Sequence, residues 1–185
     1  MGGFPNDLVW GYHGTPQERA EGILRDGFIR SENSWDWLGH GVYFWERDFD
    51  RAMDWAAGSD RAVFAAVIDL SQCLDLTQMR WRDLLRDTVA LAPADAADKL
   101  RQTGFNHGVD CWAINRVVNE TRTSDGTPRF TTVRGAFQEG APLFSAGSGR
   151  DKESAIRTLD HVQICVSDES AIRHLVQVTR PIVLD

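Results

Sequence analysis

The spacing of apolar positions changes period several times along the chain, and each change predicts an element. Leu8-Val9-Trp10-Gly11-Tyr12-His13 reads as a short strand. Thr15 then stands where a helix N-cap belongs, Pro16 fits the first helical position, and Glu18 completes a capping box with Thr15. Ala20, Ile23 and Leu24 recur at i, i+3 and i+4, and Gly27 supplies the stop. A polar loop from Ser31 to Asp36 leads through Trp37-Leu38-Gly39-His40-Gly41 into a second strand, Val42-Tyr43-Phe44-Trp45. Asp48 caps a second helix that turns Phe49, Ala52, Met53 and Ala56 inward.

Ala62 to Leu70 is almost wholly apolar and reads as a buried strand. Thr77 to Thr103 is helical in pattern, and a shorter helix covers Asp110 to Asn119. Glu120 to Arg129 is rich in turn formers, Phe130 to Phe137 is β-like, and Ser145 to Ser154 is a mobile Gly/Ser/charged loop. Strands return at Asp160 to Val166 and at Leu175 to Thr179. Strands and helices alternate without repeated βαβ units. The expectation is therefore an α+β fold with a split, largely antiparallel sheet and flanking helices, in one domain spanning 1–185.

Charge narrows the partners. A net charge of −7, from 20 basic and 27 acidic residues, argues against non-specific duplex binding but leaves room for a local basic groove. Arg116, Arg122, Arg129 and Arg134 fall close together around the turn-rich loop, as either an acceptor or single-strand nucleic-acid surface or an ordinary solvated loop. Cys73, Cys111 and Cys165 are odd in number and lack metal-ligand spacing, so buried thiols in a reducing cytoplasm and no metal are expected. No basic segment precedes an apolar run at the N-terminus and no stretch approaches membrane-spanning length, so neither a leader nor membrane association is expected.

Three stretches have a use in chemistry. In Tyr12-His13-Gly14-Thr15, Gly14 lets a ligand reach the backbone, His13 can bond a hydroxyl, and the following helix start favours an anion; a strand-end core histidine is the plainer alternative. Along Val42 to Trp45, alternation puts Tyr43 and Trp45 on one face and Val42 and Phe44 on the other. Such aromatics suit a pocket for a flat heterocycle, or simply a core strand. In Asp160-His161-Val162-Gln163-Ile164-Cys165-Val166, Gln163 faces away from the aliphatic residues, toward either a site or solvent.

Taken together, in this order and spacing, the three stretches resemble the H-Y-E ADP-ribosyltransferases, which include the diphtheria toxin-like and poly(ADP-ribose) polymerase catalytic domains. The likeness runs from Leu8 to Val166 and is nearest to small bacterial or phage members. It implies an ADP-ribosyltransferase-like fold and NAD as co-substrate. It further implies that His13 holds the adenosine-side ribose, that Gly14 pairs its backbone with the nicotinamide carboxamide, and that Tyr43 lines the nicotinamide pocket. Trp55 would stack on the nicotinamide's other side, with Thr15 and Gly41 beside the same ligand. Arg51, one turn before Trp55, can reach a phosphate.

The family's third position is usually Glu, and here it is Gln163. Gln163 brings a dipole where a carboxylate would stabilise a cationic transition state by charge. Four outcomes follow: transfer of single ADP-ribose units, charge supplied by Glu139 or Glu46, binding without catalysis, or a shifted register in which Asp160 or Asp168 matters. Alternation turns Glu46 away from Tyr43, which favours Glu139, aimed inward by the turn that follows.

Trp10, Trp35, Trp37, Trp81 and Trp112 are expected as core or loop anchors, His40 as a cleft or solvated residue, and His107 and His174 without function. The implied function is an NAD-dependent mono-ADP-ribosyltransferase acting on protein, RNA or single-stranded DNA. It would be an effector of the toxin or phage-defence kind with an antitoxin or immunity protein as partner. A catalytically silent NAD or ADP-ribose binder and an NAD glycohydrolase are the alternatives.

Overall fold

The computed structural model describes residues 7–56, 58–94, 96, 107–147 and 152–182. Strand β1 (Leu8–Pro16) leads into α1 (Gln17–Asp26), then β2 (Val42–Glu46), α2 (Phe49–Trp55), β3 (Arg61–Asp69) and β4 (Cys73–Asp75). Helices α3 (Met79–Ala90) and α4 (Gly108–Glu120) follow, then β5 (Thr132–Phe137), β6 (His161–Val166) and, after a 3-10 turn at Glu169–Ala171, β7 (Ile172–Val178). The expected α+β class is met, with seven strands in one sheet of order β4-β5-β6-β2-β1-β3-β7. Every pairing is antiparallel except β4 with β5.

Period-2 alternation gives the sheet two apolar faces. One face carries Leu74, Val133 and Cys165 against Ile114 and Val117 of α4 and, from α3, Trp81, Leu84 and Leu85. On the same side α2 lays Ala52 over Tyr12, Trp45 and Val63. The opposite face buries Val42, Phe44, Ala66, Ile68, Ile164 and Val166, and α1 seats Ala20 against Ala62 and Phe64. Tyr43 and Val42 thus fall on opposite faces, as the alternation predicts.

Two caps turn out differently. The Asp48 side chain accepts from the Arg51 N–H at 2.9 Å, as expected for an N-cap. Thr15 caps nothing: β1 continues through it, opposite Ala62 of β3, and α1 begins only at Gln17, flanked by Pro16 with no side-chain cap. The reason is the nine-pair ladder between β1 and β3, which holds Thr15 extended and 5 % exposed. The capping box with Glu18 is therefore not formed. Gly27 does close α1, at φ 84° with its N–H on the Ile23 carbonyl.

The long middle helix is shorter than its pattern. It runs from Met79 to Ala90 and leaves helical geometry at Leu91, two residues before Pro93, which disfavours helix for its predecessor. Residues 97–103 of that expected helix lie outside the described residues. The 145–154 loop is partly so: its described flanks are tied by bridges between Ser145 and Glu153 and between Pro142 and Arg157.

Candidate functional site

Strands β1 and β2 stay paired only at Gly11 with Glu46 and Tyr12 with Trp45, then part. Where they separate, the His13 ring bonds the Tyr43 carbonyl through Nδ1 at 2.8 Å. A carbonyl only accepts, so Nδ1 carries the proton and Nε2 is left as an acceptor. Burial lowers the His13 pKa, which keeps the ring neutral near pH 7. Phe28 meets it edge-on and Phe44 at a tilt, at 4.9 and 5.7 Å between ring centres.

The gap opens into a cleft of about 710 Å³, within the ordinary range for a small-molecule site. His13, Gly41, Tyr43, Arg51, Trp55, Glu139 and Gln163 all border it, although they come from segments far apart in sequence. Gly14 and Thr15 are not part of its lining, and the Thr15 side chain is buried. A Cβ on Gly14 would overlap the Ala52 carbonyl, so this glycine lets α2 lie close on β1. The Trp10 carbonyl accepts from Arg47 on the β2 side, and alternation turns the Gly14 N–H and C=O to that same side, beyond the last β1–β2 pair.

Tyr43 does more than offer a ring. Its hydroxyl donates to the Gly39 carbonyl and accepts from the Leu38 N–H, both at 2.9 Å, fastening the turn before β2. Burial raises its pKa far above the ordinary phenol, so the hydroxyl stays protonated. Gly41 exchanges two backbone bonds with Ser31 and packs so tightly on β6 that a Cβ would come within 2.6 Å of Cys165 Sγ. Trp55 stands at the mouth, 62 % exposed, its ring 5.5 Å from that of buried Trp45.

Gln163 is not on a solvated face. It is 5 % exposed, and its Oε1 accepts from the Trp37 indole N–H at 2.6 Å. Indole nitrogen only donates, so the amide orientation is fixed and Gln163 presents its NH₂ as the free end. Trp37 in turn stacks on Phe137 at 3.8 Å. Expected as a core or loop anchor, it is both an anchor and a cleft wall. His107, expected to have no role, also borders the cleft. Its residue signal was absent, because only the fold brings α4's start beside Trp37.

The carboxylates divide clearly. Glu139 borders the cleft and pairs with Arg51 at 2.6 Å. Glu46 is spent on Arg134 at 2.5 Å, on the far face. Asp160 and Asp168 hold backbone N–H groups of Glu139 and Ser170 and do not line the cleft, which gives the shifted register no support. Asp36 is buried in the cleft wall, accepting from Ser31 Oγ and the Asn33 N–H. Two side-chain polar atoms along the wall are shut off from solvent without a partner: Trp45 Nε1 and Arg51 Nε.

Three of the four clustered arginines are engaged within the fold. Arg134 is locked between Glu46 and Asp75, Arg116 pairs with Glu120, and Arg129 lies over Trp81 and Phe130. Of the cysteines, Cys111 and Cys165 are buried thiols, whereas Cys73 is half-buried, its pKa pushed up to about 12 mainly by desolvation. Among the described residues no helix is long and apolar enough to cross a membrane.

No family model matches the chain. It is similar to the uncharacterized protein MJ0359 of Methanocaldococcus jannaschii, 26 % identical over an alignment covering 89 % of this chain and 84 % of that one.

Proposed function

We propose that this chain is an NAD-dependent mono-ADP-ribosyltransferase built on an ADP-ribosyltransferase-like fold. It breaks the bond between nicotinamide and its ribose and passes the ADP-ribosyl group to a macromolecular acceptor. The observation that carries the proposal is the meeting of His13, Tyr43, Trp55 and Gln163 at one cleft, where β1 and β2 part.

The residues present suit NAD as substrate. His13 Nε2 accepts from a ribose hydroxyl. The Gly14 N–H and C=O offer one donor and one acceptor, the complement of a carboxamide. The rings of Tyr43 and Trp55 enclose a flat heterocycle. Unpartnered Arg51 Nε and Trp45 Nε1 are donors for phosphate or hydroxyl oxygens. When the glycosidic bond breaks, its electron pair goes to the nicotinamide nitrogen and C1′ becomes an oxocarbenium ion. In this reading Glu139 is the carboxylate that stabilises that cation by charge. Gln163, with its oxygen already occupied, serves by donating to a ribose oxygen. A nucleophilic atom of the acceptor then bonds C1′ and loses its proton.

A second function, a silent NAD or ADP-ribose binder, is favoured by one observation: Gln163 is neutral and its Oε1 is held by Trp37. One experiment separates them. The protein is incubated with lysate and NAD labelled in the adenylate half, and products are split by protease and by nuclease. Label removed by protease identifies a protein acceptor, and label removed by nuclease a nucleic acid. Nicotinamide release without macromolecular label identifies a glycohydrolase. Calorimetric binding without release identifies the silent binder. No binding, label or release refutes NAD as the substrate. His13→Ala and Tyr43→Ala should each abolish the signal.

A further inference from the structure

Arg51 and Glu139 occupy each other at 2.6 Å, yet a transferase needs both apart: one for the donor's phosphates, the other for the cation at C1′. A carboxylate neutralised by a guanidinium projects almost no net charge, so the paired Glu139 contributes little to an oxocarbenium ion. We propose that this pair is a donor-specificity element, in which an anionic phosphate of the donor takes Arg51 and thereby releases Glu139 to face the reacting ribose. This rests on the transferase reading above and deepens it, because it makes a phosphate-bearing nucleotide, rather than any nicotinamide riboside, the substrate class.

Three features support the exchange. The contact uses one guanidinium nitrogen only, and Arg51 Nε is buried with no partner. A phosphate can accept from Nε and a terminal nitrogen together, in the paired geometry arginine favours, so it competes well against a single contact. The two residues also differ in freedom. Arg51 lies on α2, its backbone N–H capped by Asp48, and its side chain is 11 % exposed. Glu139 lies beyond the end of β5 with its side chain 42 % exposed. Its backbone is fastened, N–H to Asp160 and carbonyl to the Leu159 N–H. Only the Glu139 side chain has to change rotamer. His161 does not hold it: His161 Nδ1 is 2.7 Å from the Leu159 carbonyl and 3.7 Å from Glu139.

The test compares NAD with nicotinamide riboside, which has no phosphate, following nicotinamide release to water by chromatography. In both cases the nicotinamide–ribose bond breaks, water adds to C1′, and one proton is released. Wild type should prefer NAD. Arg51→Met should lower kcat/KM for NAD and raise the riboside rate above wild type, shrinking the preference roughly tenfold or more. Arg51→Lys keeps a cation beside Glu139 and should retain the preference for NAD, and Glu139→Gln should lose turnover of both donors. The rise on riboside is the decisive readout, because loss of phosphate affinity alone lowers NAD turnover and leaves riboside unchanged. A riboside rate in Arg51→Met at or below wild type, with the variant's melting profile intact, overturns the proposal while leaving the transferase standing. A wild type that releases no nicotinamide from NAD, either in buffer or with lysate supplied as acceptor, overturns both. If Arg51→Met does not fold, an Arg51→Lys enzyme that cleaves riboside as readily as NAD overturns the proposal in its place.

Discussion

The Trp37–Gln163 bond fixes which end of an amide faces the cleft, and a double-mutant cycle tests it. Trp37→Phe keeps an aromatic ring against Phe137 but removes the indole donor to Gln163 Oε1, in a residue 5 % exposed. A buried acceptor left unsatisfied costs about 1–3 kcal/mol, whereas removing both partners is nearly neutral for the polar term. Gln163→Met, of similar length and without polar atoms, leaves the indole N–H unpaired instead. Each single variant should therefore be destabilised, and the double variant should be less destabilised than the sum by about 1–2 kcal/mol. Denaturant midpoints at constant m supply the four free energies. Thermal scans should agree, at about 2–4 °C per kcal/mol for a chain of this size. The smaller phenyl ring lowers stability on its own, but that loss appears on both sides of the cycle and cancels. Coupling below about 0.5 kcal/mol, the ordinary error of additivity, would refute the bond and with it the orientation assigned to Gln163.

Three further outcomes follow from the same geometry. His13 binds a proton less readily folded than unfolded, so stability should rise with pH up to its ordinary value of 6.5 and level above it; in denaturant series from pH 5 to 8, His13→Gln should lose that step. Tyr43→Phe leaves the Leu38 N–H without its partner and should cost about 1–3 kcal/mol in the same assay, with an unchanged melting temperature counting against the clamp. Gly14→Ala forces a methyl into the Ala52 carbonyl and displaces α2, so it should cost about 1–3 kcal/mol or more and also weaken any NAD binding, since Arg51 and Trp55 ride on that helix.

Much of the frame was legible because it rests on local periodicity. The alternation at Val42 to Trp45 placed Tyr43 correctly, and Asp48 announced α2 through its side chain. The Thr15 cap failed because a signal local to four residues competed with nine cross-strand pairs to β3, which no local pattern records. Strand β4 was missed for a related reason: three residues are too few to show a period, and its parallel partner β5 lies far along the chain. At the site, Glu139 was legible from the turn at Gly140, and Glu46 was excluded by parity. Trp37 was not legible as a cleft residue, because its role depends on Phe137 and Gln163, at least 100 positions away. Nor could spacing reveal that Arg51 and Glu139 neutralise one another across 88 positions.

The shortness of the β1–β2 ladder has a mechanical side. Strand β1 shares nine registered pairs with β3, and β2 shares four with β6, but β1 and β2 share two. The sheet is thus two stiff panels, β4-β5-β6-β2 and β1-β3-β7, stitched by a narrow seam whose far end is the cleft itself. With the fewest registered pairs, that line offers the least resistance to bending, and a change of angle between the panels acts directly on the distance from His13 to Tyr43. Amide hydrogens at the seam should exchange sooner than those inside the panels, and a ligand gripping both walls should slow them.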